Sequence, residues 1–389
     1  MKTVDDVDVE GKRVLVRVDF NVPLRDGGVV DDSRIRAALP SIQALRARGA
    51  RVILVSHLGR PADREPELSL RPVADRLSEL LGADVALAPG VVGSDVEAQV
   101  GELRSGEVLL LENVRYEPGE TANDDELARG LGALADVYVD DAFGAAHRAH
   151  ASTEGVTHHV AETAAGPLLE REVSTLRGVL ESPDRPLVAV MGGAKVTDKI
   201  GMIARFLQTA DAVLIGGAMC FPFFRAQGHM VGASLCDEQD LEPARRTLSA
   251  AEASPARLEL PDDLVIADRV AADAQPRELD GIDVPEGWAG VDIGPATVRR
   301  YTREIEGAGT VFWNGPMGAF ELEPFAAGTR AVAEAVAGAP GTTVVGGGDT
   351  AAALTAFGLT HGVDHISTGG GAALTLIEGE PLPGVEALE

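Results

Sequence analysis

The stretch Leu187–Ile200, LVAVMGGAKVTDKI, gathers the groups best suited to hold phosphate. Its apolar opening, Leu187 to Val190, reads as a buried parallel strand. Gly192 and Gly193 allow a tight turn and a close approach of backbone to a ligand. The pattern predicts a helix beginning near Lys195. Lys195 and Lys199, four apart, would then share one helical face and lean back toward the turn. The free amides and positive dipole end of a helix favour an anion at the same place. The chain has only four lysines, Lys2, Lys12, Lys195 and Lys199, and its other cations are arginines. Two of four lysines beside two glycines argue for a phosphate site over a solvated helix start. A Walker loop is excluded, because G-x-x-x-x-G-K-[ST] occurs nowhere.

The elements that would position such chemistry alternate. In the first half, strand-like runs end in Asp19-Phe20-Asn21, in Ser56-His57-Leu58-Gly59-Arg60, in Glu112-Asn113-Val114-Arg115 and in Asp140 through Arg148. Helical stretches lie between them, the first from about Arg34 to Arg48 behind Ser33 as N-cap. Strand, helix, strand with short links means a parallel sheet with helices on both faces. Ligands of such sheets bind beyond the carboxyl ends of the strands. Here four ends deliver Asp19, Asn21, His57, Arg60, Arg115 and Arg148, with Arg34 close by. Arginine forks match phosphate and carboxylate, so the implied ligand is small and densely anionic. His147, His150, His158 and His159 invite a zinc reading, which lacks an accompanying cysteine or H-E-x-x-H.

A helix-like segment, Glu170–Leu180, and the breaker Ser182-Pro183-Asp184-Arg185-Pro186 separate the halves. The second half repeats the α/β alternation, but five of its strand ends carry glycines, among them Gly216-Gly217, Gly346-Gly347-Gly348 and Gly369-Gly370-Gly371. Leu264–Ala267 reads as a further strand, and Ala271–Trp288 as an acidic loop or ribbon. Bare backbone suits a long phosphate-bearing ligand such as a nucleotide. Asp349, at a helix start, reads equally as a Mg²⁺ ligand or as an N-cap. Glu321 reads equally as a ribose contact or a solvated side chain. No G-x-G-x-x-G follows a strand, which removes the fingerprint a dehydrogenase needs.

Composition narrows the classes. A length of 389 residues and 45% apolar content fit a globular chain of two or three domains. The net charge of −27 argues against nucleic acid and anionic membranes as partners. No apolar run reaches the roughly 18 residues a membrane span needs. The acidic N-terminus, MKTVDDVDVEGK, does not read as a targeting peptide. Cys220 and Cys236 form no C-x-x-C pair. These features point to a cytoplasmic protein. Acid excess with scarce lysine also suits concentrated salt and a halophilic source, although a GC-rich genome biases composition toward arginine and alanine in the same way.

Eight motifs in register make the chain resemble the phosphoglycerate kinase family: RVDFNVP (Arg17–Pro23), SHLGRP (Ser56–Pro61), LENVRY (Leu111–Tyr116), DAFGAAHRAH (Asp141–His150), GGAKVTDKI (Gly192–Ile200), WNGPMGAFE (Trp313–Glu321), GGGDTA (Gly346–Ala351) and STGGGA (Ser367–Ala372). The resemblance implies two doubly wound Rossmann-like domains, each with a mostly parallel sheet, joined by a hinge helix. The expected divisions are 1–169 with a returning tail 376–389, a hinge at 170–186, and 187–375. It implies phosphoryl transfer between 1,3-bisphosphoglycerate and ADP, giving 3-phosphoglycerate and ATP, with Mg²⁺ as cofactor. By that pattern Asp19, Asn21, Arg34, His57, Arg60, Arg115 and Arg148 hold phosphoglycerate. Arg34, Lys195 and Gly348 act on the group in flight. Lys199, Gly216, Gly217, Pro316, Glu321, Gly347, Gly348, Asp349 and Thr350 meet the nucleotide, with Asp349 on the metal. A monomer is the expected state. A non-catalytic sensor of nucleotide and phosphosugar is the rival, since it would keep the glycines without needing Arg34 or Lys195.

Overall fold

The computed structural model describes all 389 residues, and the chain divides into two compact units. One comprises Met1–Ser174 with Pro381–Glu389; the other is Thr175–Glu380. The boundary falls inside the helix Pro167–Glu181.

The first unit is built on six parallel strands: β1 (Arg13–Arg17), β2 (Arg51–Val55), β3 (Val85–Leu87), β4 (Val108–Leu110), β5 (Val137–Asp140) and β6 (Glu162–Ala165), in the order β3-β4-β2-β1-β5-β6. The runs RVLVR and RVILV are buried along most of their length, as strands covered on both faces must be. Helices such as Arg71–Leu81 turn Val73, Ala74 and Leu77 inward and stop at Gly82, whose φ of 60° is the left-handed cap position. The C-terminal segment packs on this unit. Leu382, Val385 and Leu388 are buried, and Gly384 N–H donates to the Ala146 carbonyl (2.9 Å).

The second unit has its own six parallel strands: β7 (Leu187–Met191), β8 (Ala212–Ile215), β9 (Arg257–Glu259), β10 (Thr310–Asn314), β11 (Thr342–Gly346) and β12 (His365–Ile366), ordered β9-β8-β7-β10-β11-β12. Its core centres on the buried Trp313, whose indole N–H is satisfied by the Gly315 carbonyl (2.8 Å). In both sheets the strand order reverses beside one strand, β1 and β7. A crevice for ligands forms at such a point, beyond the carboxyl ends.

Several expectations need correction. The helix after Gly193 starts at Ile200, not near Lys195. Residues 194–199 turn instead, with Lys199 N–H bonded to the Val196 carbonyl (2.9 Å), because Val196 is drawn into the core. Ser33 is the first helical residue, and Asp32 occupies the cap position. Leu264–Ala267 is not part of the parallel sheet. It joins Arg277–Leu279 and Ala289–Ile293 in a small antiparallel sheet, a choice that a four-residue apolar run leaves open. Strands β6 and β9 lie at sheet edges, and their short polar sequences ETAA and RLE carry no apolar pattern.

Candidate active site

In the first unit the loops beyond β1, β2, β4 and β5 form a cationic basin. Arg34 donates to Asp19 Oδ2 (2.9 Å) and to the Asn21 carbonyl (3.2 Å). Asn21 Oδ1 accepts from Gly59 N–H (2.9 Å), which ties the first loop to the one carrying His57 and Arg60. Buried Asn113 binds Leu58 through both its backbone groups, and Arg115 Nη1 donates to the Gly59 carbonyl (2.5 Å). Arg60 and Arg148 are exposed at the rim. His57 is buried and its pKa is held well below the usual imidazole range, first by burial and then by Arg17, Arg115 and Arg34. Burial and the neighbouring Arg17 and Arg148 likewise lower Arg115. The Arg115 Nε atom is buried without a protein partner. Repelling cations with an unspent donor are what an anionic ligand would relieve.

The sequence pattern does not single out Arg17. It ends β1 and is 1% exposed. An arginine closing the run RVLVR was the available signal, because arginine is almost never fully buried unless paired.

In the second unit a cavity of about 410 Å³ opens beyond β7, β8 and β10. Gly217, Pro316, Glu321 and Asp349 line it with Phe221, Leu264 and Met317. Asp292 sits in its floor, buried, accepting from Ile293 N–H (2.9 Å) and Gly328 N–H (2.6 Å); burial pushes its carboxyl up to about 7. The glycines divide into two kinds. A Cβ on Gly192 would lie 2.1 Å from the Pro316 carbonyl oxygen, and one on Gly217 2.6 Å from Gly193 backbone. These glycines, with Gly216 against Met317, let loops pack on one another. Gly348 instead faces open space, where a Cβ would meet nothing within 4 Å.

The two lysines are not alike. Lys195 is half exposed and stands 4.0 Å from Asp237. Lys199 is half-buried and donates to the Asn314 carbonyl (2.9 Å) and to its side-chain oxygen. Burial lowers its pKa to about 8, against the opposing pull of Asp349 and Asp198. Gly347, with φ of 89°, caps the helix Gly348–Phe357, so Asp349 is not the N-cap. Thr350 is buried and its hydroxyl accepts from Gly315 N–H (2.7 Å). The four histidines do not converge: His158 pairs with Glu154 (2.6 Å), His159 with Asp125 (2.7 Å), and His150 lies by Glu120.

A basin of arginines on one α/β unit and, on the other, a glycine-walled cavity with a half-buried lysine beside its Gly193 edge define a nucleotide-dependent phosphotransferase class. The comparisons agree. The family model for phosphoglycerate kinase matches residues 4–380. The chain is 53% identical over 390 residues to a phosphoglycerate kinase of Roseiflexus castenholzii, covering all of this chain and 98% of that one. It is 51% identical to that of Chloroherpeton thalassium, with the same coverage. The solved phosphoglycerate kinase of Coxiella burnetii superposes with a TM-score of 0.93 at 41% identity, over 99% of this chain and 98% of that one. That of Pyrococcus horikoshii gives 0.86 at 32% identity, over 100% and 98%. The chain belongs to the phosphoglycerate kinase family. It is a phosphotransferase with a carboxyl group as acceptor, moving a phosphoryl group between 1,3-bisphosphoglycerate and ADP to give 3-phosphoglycerate and ATP.

Proposed function

We propose that the two half-sites divide the reaction between them. The basin of Asp19, Asn21, Arg34, His57, Arg60, Arg115 and Arg148 holds phosphoglycerate. The cavity, with Lys199, Gly216, Gly217, Pro316, Glu321 and the turn Gly347–Thr350, holds the nucleotide. The unspent Arg115 Nε donor, buried among cations, is the observation that carries the first assignment. The acceptor is a carboxylate or an ADP phosphate, ionised at neutral pH, so no general base is needed. Arg34 and Lys195 stabilise charge on the group in flight, and the bare Gly348 amide lets it come close. Asp349, an exposed carboxylate on the cavity wall, fits a Mg²⁺ that arrives on the nucleotide phosphates, since that ion takes one or two carboxylates. When bound, the ion offsets phosphate charge.

Transfer needs the reacting atoms about 3 Å apart, so ligand binding closes the units about a hinge near Glu170–Pro186 and the C-terminal return. The enzyme works as a cytoplasmic monomer. Its charge of −27 and scarce lysine suit a salt-rich interior. No helix is long and apolar enough to cross a membrane. Small-angle scattering with 3-phosphoglycerate, MgATP, and both together tests the closure. The radius of gyration is expected to fall only with both, and an unchanged radius would refute it.

A further inference from the structure

A carboxylate behind the basin organises its cations. Glu120, in the short helix Gly119–Ala122, is fully buried. Its side chain accepts from Ser152 N–H (3.0 Å) and from Ser152 Oγ (2.7 Å), and His150 Nδ1 stands 3.5 Å away. Burial alone would raise its pKa. The His150 hydrogen bond, the Arg17 charge and the Ser152 hydroxyl overcome that and keep it ionised. Its backbone carbonyl also accepts from Ala151 N–H (3.0 Å), so three hydrogen bonds fasten the loop that follows Arg148 to one residue.

The Ser152 hydroxyl spends its hydrogen on Glu120 and accepts from Arg17 Nε (2.8 Å). Arg17 Nη1 donates to the Val18 carbonyl, and Nη2 lies 3.1 Å from His57 Nδ1. A guanidinium has donors only. His57 Nδ1 must therefore accept, which leaves the ring hydrogen on Nε2. A doubly protonated ring would turn one N–H against another.

We propose that Glu120 and Ser152 are positioning residues that hold Arg17 in the one orientation that fixes His57 as a neutral Nε2–H donor for an anionic oxygen of phosphoglycerate. The inference rests on reading the basin as the phosphoglycerate site. The titratable groups that face His57 are Arg17, Arg34, Arg115 and His150, and the three guanidinium charges favour the neutral ring. Without the relay, Arg17 would keep its charge and its bond to the Val18 carbonyl but lose its Nε anchor, and His57 would sample both tautomers.

Two-bond ¹H–¹⁵N correlation spectra of the ligand-free enzyme are expected to show His57 as the neutral Nε2–H tautomer at neutral pH. In S152A the single-tautomer pattern is expected to be lost. The KM for 3-phosphoglycerate should rise roughly tenfold, while the KM for MgATP stays put and kcat changes little. S152T, which keeps the hydroxyl, should restore both readouts. E120Q should resemble S152A, and S152A carries the test if E120Q does not fold. A His57 that is charged or Nδ1–H in the parent enzyme would overturn the inference. So would an S152A variant with the parent spectrum, or equal rises in both KM values, which mark a merely structural role. An H57A enzyme with unchanged KM for 3-phosphoglycerate would instead remove the reading of the basin, and the inference with it.

Discussion

Arg34 is held at one end only, by Asp19 and the Asn21 carbonyl, and its side chain remains about one-third exposed. Such a group can hold substrate and meet charge that develops in transit. Arg34→Ala is expected to cut kcat by roughly 10³-fold, the scale of arginines that stabilise a transferring phosphoryl group; steady-state kinetics with a loss confined to KM would reduce Arg34 to a binding residue. Lys199 is placed differently. Its ammonium already has two acceptors on Asn314, and at a pKa of about 8 it remains mostly charged at neutral pH. Lys199→Ala is expected to weaken MgATP in calorimetric titrations far more than 3-phosphoglycerate. Equal weakening would contradict the half-site assignment. The motifs made these residues legible, but not the difference between them, because how far a side chain is covered depends on which loop folds over it.

At the scale of elements, the glycines separate those that pack loop on loop from those that face open space. Gly192→Ala would force a Cβ against the Pro316 carbonyl, so it is expected to lower the melting temperature and empty the cavity of nucleotide affinity together. Gly348→Ala meets open space and should leave the melting temperature unchanged while reducing turnover, because only a bound ligand would feel the new methyl. Thermal unfolding beside an assay separates the two. The end of β5 carries a second testable device. Asp140 is fully buried; Oδ1 accepts from Ala142 N–H (2.9 Å) and Oδ2 has no partner. Burial pushes its pKa up to about 7, against the Ala142 bond and the Arg17 charge. The folded chain thus keeps a proton that the unfolded chain releases near pH 4. That contribution is fully present below about pH 4 and is lost as pH rises through about 7. Asp140→Asn stays neutral throughout, so between about pH 5 and about pH 8 its melting temperature should fall less than the parent's. A parallel fall in both would show that Asp140 contributes no such proton.

For the whole molecule the dominant quantity is a charge of −27. Self-repulsion of that size disfavours the compact state at low ionic strength. In molar salt the Debye length shrinks to about 3 Å, so the surface acids stop repelling each other and the anionic substrates. Turnover of 3-phosphoglycerate and MgATP is expected to rise from about 0.1 M to several molar KCl. Good turnover only at low salt would leave the activity intact and discard the halophilic reading.

By itself the sequence determined the alternation of strands and helices, the parallel sheets and the eight motifs that carry the family. Each of these rests on local spacing or on residue type, which a chain displays before it folds. Tertiary structure decided the remainder. It set β6 and β9 at the sheet edges, moved Leu264–Ala267 into a separate ribbon, and drew Val196 inward so that Lys195 and Lys199 share no helical face. It also assembled Arg17, Glu120, Ser152 and His57, which lie up to 135 residues apart, into one buried relay. No local pattern announces such a relay, because its members are selected by the hydrogen bonds that burial requires, and burial exists only once the chain has folded.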